Sequence, residues 1–129
     1  MNWRCLLTIL FVCMILFSVP VVTKAADIKV TNSKGETFIL KEMQIEYGNG
    51  ITLTEGIYVE KAGGELRLSW QNIRTVQFSE PNCAKITMAD GKEHKFTLLR
   101  KLSQFSGDTD LGSFSIPFEN VKTLEVIRP

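Results

Sequence analysis

Apolar and polar residues alternate along most of this chain. The pattern is plain in Asp27-Ile28-Lys29-Val30-Thr31, Met43-Gln44-Ile45-Glu46-Tyr47 and Ile51-Thr52-Leu53, and it returns in Ile57-Tyr58-Val59 and Leu66-Arg67-Leu68-Ser69-Trp70. A period of two puts every second side chain on one face, so each stretch predicts a half-buried β-strand. Glycine-bearing breaks at Asn32-Ser33-Lys34-Gly35, Gly48-Asn49-Gly50, Gly63-Gly64, Asp90-Gly91 and Gly107-Asp108 predict tight turns. Past Ala26 no stretch keeps helical spacing for three turns. The expected fold is a single all-β domain over residues 26–129, built as a sandwich or a partly open barrel.

The first 25 residues follow another pattern. Cys5 to Val19 is an uncharged apolar run, preceded by Arg4, ended by Pro20 and followed by Thr23-Lys24-Ala25. Those three regions predict a signal peptide over 1–25, cut after Ala25, and hence export to the periplasm or beyond. The alternative is an uncleaved inner-membrane anchor over residues 5–22, close to the ~20 residues that a spanning helix needs. Cutting after Ala25 leaves 104 of the 129 residues and removes Arg4 and Lys24 but no acid, so the net charge moves from +1 to −1. Of the three cysteines only Cys83 remains, and one thiol makes no internal disulfide.

The remaining residues repeat themselves. Residues 64–78 (GELRLSWQNIRTVQF) align without gaps on 112–126 (GSFSIPFENVKTLEV) at an offset of 48. Gly64, Asn72 and Thr75 recur as Gly112, Asn120 and Thr123, and every inward apolar position stays apolar. A weaker match at offset 56 pairs Ile28-Lys29-Val30-Thr31 through Gly35 with Ala84-Lys85-Ile86-Thr87 through Gly91. Two pseudo-repeats, about 27–79 and 83–129, are therefore expected to share one core, because so short a unit is marginal alone. Trp70, Ile73 and Val76 switch to a spacing of three, which predicts a 3₁₀-like turn before the last strand. This unit resembles small β modules of uncharacterised bacterial exported proteins with compact SH3- or Sm-like barrels. The resemblance implies a fold and no activity.

Candidate chemistry is sparse. His94, the only histidine, shares parity with Phe96 and Leu98 and is expected to face inward, and it has no companion Cys or His with which to bind zinc. Asp108-Thr109-Asp110 with Glu119 superficially matches a calcium loop, but Gly112 stands where an oxygen ligand belongs, so a solvated turn is expected. Trp70 and Phe118 are repeat equivalents at inward parity. They either fill the core or line a cavity between the halves. Tyr58 has the opposite parity from Ile57 and Val59 and is expected to be exposed, as part of an interaction surface. Basic residues cluster in 85–101 and acidic ones in 36–65, on strand faces or on a surface that meets a partner. No nucleophile elbow, P-loop, HExxH or CxxC occurs. The expectation is a non-catalytic exported interaction domain, without cofactor, metal or nucleic acid, whose partner is another envelope protein or a second copy. A small-ligand carrier with a cavity between the halves is the alternative.

Overall fold

A computed structural model describes residues 25–79, 82–98 and 100–129. The expected signal peptide and the alternative anchor therefore lie outside the described residues, apart from Ala25. The described chain is all-β: one curled, open half-barrel sheet, of the partly open barrel kind. Its strands are β1 (Asp27–Asn32), β2 (Thr37–Tyr47), β3 (Thr52–Leu53), β4 (Gly56–Lys61), β5 (Gly64–Ser69), β6 (Ile73–Ser79), β7 (Cys83–Met88), β8 (Glu93–Thr97), β9 (Leu102–Thr109), β10 (Gly112–Pro117) and β11 (Val121–Arg128). Single 3₁₀ turns at Trp70–Asn72 and Phe118–Asn120 join β5 to β6 and β10 to β11.

The strand order is β10-β9-β2-β1-β11-β6-β7-β8-β4-β5, with β3 added to β2. β11 and β6 form the central antiparallel pair, with Leu124 opposite Val76. One five-strand set joins the two ends of the chain, and the other takes the consecutive strands β4 to β8 from its middle. The first two strands, β1 and β2, lie beside β9, β10 and β11, while β7 and β8 lie beside β4, β5 and β6. β10 and β5 are left at the two ends with one neighbour each.

Alternation delivers the core directly. Ile28, Val30, Leu40, Met43, Ile45, Ile57, Val59, Val76, Ile86, Phe105 and Leu124 are fully buried, and among the described residues no charged or polar one is buried with them. β2 is long enough to serve two neighbours because it kinks. Glu42 takes a positive φ of 52°, its N–H bonds the Asp27 Oδ1 at 3.1 Å, and Met43 N–H bonds the Ala26 carbonyl at 2.9 Å. Before the kink β2 pairs with β1; after it, Gln44–Tyr47 pair with β9.

The Gly107-Asp108 break is not a turn. Both residues lie inside β9, and the hairpin turns at Asp110-Leu111 instead. The glycine serves a close approach. A Cβ on Gly107 would stand 2.9 Å from the Lys41 carbonyl oxygen and 3.0 Å from the Leu40 Cβ, where kinked β2 presses on β9.

Candidate functional site

The open end at β10 is built from three-strand ladders. Ile45, Phe105 and Ile116 lie across from one another and are buried, so they form the inner face. The residues between them therefore look outward: Lys41 across from Asp108 and Ser113, and Gln44 across from Ser106 and Ser115. An open groove of about 860 Å³ with mostly polar residues lies along this end, lined also by Asp27, Glu42, Arg128 and the Phe114 ring. Its charges are partly spent on each other. Asp27 faces Arg128 at 4.0 Å, Lys41 Nζ reaches Asp110 Oδ1 at 3.4 Å, and Ser113 Oγ donates to Asp108 Oδ1 at 3.4 Å.

On the other side of the same strand is an apolar notch of about 490 Å³, formed by Phe38, Ile39, Leu111 and Phe114 with Lys41, Thr109 and Asp110. The Phe38 and Phe114 rings meet edge to face with centroids 4.9 Å apart. Leu111 at the hairpin tip is 100% exposed, with Ile39 at 47% and Phe114 at 40%. Three apolar side chains left open around the β9–β10 hairpin tip are an exposed patch of the sort that marks a contact surface.

The opposite end is closed over by charge. Arg100 clamps Glu65 in a bidentate pair at 2.7 and 3.1 Å and lies 5.0 Å above the Tyr58 ring. Arg67 reaches Glu55 at 3.5 Å. Beneath them Tyr47, 3% exposed, accepts a hydrogen bond from the Tyr58 N–H through its hydroxyl at 3.1 Å. Burial pushes the Tyr47 phenol up to about 12, outweighing the hydrogen bond that favours the phenolate.

The four residues singled out from the sequence do not converge on one site. Tyr58 is half-buried rather than exposed: its parity is outward, but Arg100 covers its ring. His94 is exposed rather than inward. It pairs across from buried Ile86, yet its side chain lies in solvent, with the Phe96 ring 5.9 Å from its own. Trp70 is buried in the core, and its indole N–H has no acceptor among the described residues. Phe118 is half-buried in an aromatic cluster with Phe78 at 5.0 Å and Phe105 at 6.3 Å. Neither groove is lined by Trp70 or Phe118.

Asp108 and Asp110 belong to the β9–β10 hairpin, Glu119 lies in the second 3₁₀ turn, and Cys83 is half-buried at the start of β7. Among the described residues no three His, Cys, Asp or Glu are grouped to hold a metal, and no helix is long and apolar enough to cross a membrane. The basic and acidic segments meet within the molecule, through Arg100 and Glu65.

What the single-residue reading missed is the β10 edge. Its signal was in the repeat alignment, where Ser113 and Ser115 stand at the positions of Glu65 and Arg67. No known protein family, curated protein or solved structure matches this chain.

Proposed function

We propose that this chain is an exported, non-catalytic interaction domain of the cell envelope, built from two pseudo-repeats and acting through an edge of its sheet. The observation that carries this reading is the open sheet itself. It ends in β10 and β5, each with a backbone free to pair on one side, and extended segments recognise such edges by strand addition.

Register supports the repeat. Pairs between β1 and β11 recur between β7 and β6: Lys29 with Glu125 as Lys85 with Gln77, Val30 with Leu124 as Ile86 with Val76, Thr31 with Thr123 as Thr87 with Thr75. The Ser33 N–H bonds the Asn120 carbonyl at 2.9 Å, and its counterpart Ala89 bonds Asn72 at 2.8 Å. Leu124 pairs with its own equivalent, Val76, which fits a pseudo-two-fold axis through the β6–β11 pair. On this reading the repeats have exchanged their first hairpins.

In-cell photo-cross-linking tests the function. A photoreactive residue is placed at Ser115 on β10 or at Arg67 on β5, in protein expressed as the full chain in its own host. A discrete covalent adduct with an envelope protein at either edge is the expected result. Absence of adducts at both edges would overturn the reading, as would a catalytic turnover measured with the purified protein.

A further inference from the structure

We propose that β10, and not β5, is the binding edge, and that it takes an extended segment of another protein whose side chains alternate between apolar and basic; this rests on the interaction-domain reading above. Three observations support it.

The two edges are built alike and finished differently. β4 pairs with β5 from Lys61–Gly64 to Gly56–Ser69, as β9 pairs with β10 from Thr109–Gly112 to Gln104–Pro117. On β5 the outward positions are Glu65 and Arg67, both held in ion pairs, Glu65 with Arg100 and Arg67 with Glu55. Charged side chains are a common guard against strand addition. On β10 the matching positions are Ser113 and Ser115, and Gly112–Pro117 carries no charge at all. Only Pro117, at the far end of the strand, lacks an N–H to offer a further strand, and Gly112–Ile116 stay open to one.

The two faces beside β10 then specify the occupant. Side chains of an added strand point alternately to the two faces of the sheet. On one face they meet the Phe38–Phe114 ring pair and the Leu111 tip, which suit apolar side chains. On the other they meet the Ser113–Ser115 side of the polar groove, where Asp27, Glu42 and Asp108 outnumber Lys41 and Arg128. Basic side chains suit that face. A second copy of this chain would answer it poorly, since β10 brings no cation to the carboxylates. An antiparallel β10 pair would also set the Asp108–Asp110 tip of one copy toward the Glu119 end of the other.

The test uses protein purified after expression of the full chain, with three labelled peptides as probes: Val-Lys-Val-Arg-Phe-Lys-Val, the same peptide with glutamate in place of each basic residue, and a peptide of the first composition with the alternation scrambled. Fluorescence anisotropy gives affinity, and amide hydrogen exchange locates the contact. The alternating basic peptide is expected to bind about tenfold more tightly than either control. It should slow exchange at residues 113–116 and leave 65–68 unchanged. Ser113→Lys with Ser115→Lys, both at exposed positions, should weaken binding about tenfold without shifting the melting temperature. Equal binding of the three peptides, or no binding, would overturn the proposal. So would protection at 65–68, which leaves the interaction reading standing with β5 as its edge. Protection at 113–116 that appears with protein concentration alone would overturn it in favour of a second copy.

Discussion

Tyr47 ties stability to alkaline pH. Its phenol titrates near 10 when the chain is unfolded and at about 12 when folded, so both states hold the proton below pH 10 and the group adds no pH dependence there. Between pH 10 and 12 the unfolded chain loses this proton first. Stability should then fall by about 2–3 kcal/mol from this residue alone. Urea melts at pH 9 and pH 11.5 should show the drop, and Tyr47→Phe should flatten it relative to the parent. Trp70 gives a second contrast. Truncation to Ala removes a large buried side chain and should cost about 3–5 kcal/mol. Trp70→Phe also removes an N–H that has no acceptor among the described residues, so its cost should stay below about 1.5 kcal/mol. A larger loss in thermal melts would mean that the indole N–H is satisfied in solution.

At the scale of elements, the fold depends on two places where backbones touch. A Cβ on Gly56 would lie 1.8 Å from the Leu68 carbonyl oxygen, and Gly56 is not in the left-handed region, so the constraint is space alone. Gly107 is tighter than ordinary contact against Lys41 but less severe. Gly56→Ala should therefore cost about 3 kcal/mol or more, since backbone must move, and Gly107→Ala about 1–3 kcal/mol. Equal midpoints for the two variants in urea unfolding would contradict this ranking. The Gly107 case also shows why local reading misplaced a turn. Glycine beside aspartate is a turn signal by composition, and only the kink of β2 at Glu42, sixty-five residues earlier, makes glycine a requirement of packing.

The whole molecule is held by strands exchanged between its two halves. β1 and β2 complete one side with β9, β10 and β11, and β7 and β8 complete the other with β4, β5 and β6. Neither half of the chain contains a contiguous five-strand set. Residues 26–79 and 83–129 expressed separately should each lack a cooperative monomeric melt, and mixing them should restore the β signal in circular dichroism. A half that folds alone as a monomer would argue that its first hairpin folds back onto its own strands. The open ends follow from the same topology. The curl places β10 and β5 at opposite ends of one sheet path, and neither pairs beyond its single neighbour.

Strand content, the buried face of each strand and the two 3₁₀ turns were determined locally, because a period of two against a hydrophobic core leaves one way to face each residue. Trp70 and Phe118 entered the core and the core margin on that basis alone. Which strands become neighbours was not local. Alternation is the same whichever partner a strand takes, so the order β10-β9-β2-β1-β11-β6-β7-β8-β4-β5 was decided by tertiary pairing. The same decision covered Tyr58 with Arg100, carried His94 beyond the core and left Ser113 and Ser115 on an uncharged edge. Parity assigns a side chain to a face of the sheet; how far the neighbouring elements reach over that face decides whether it meets water.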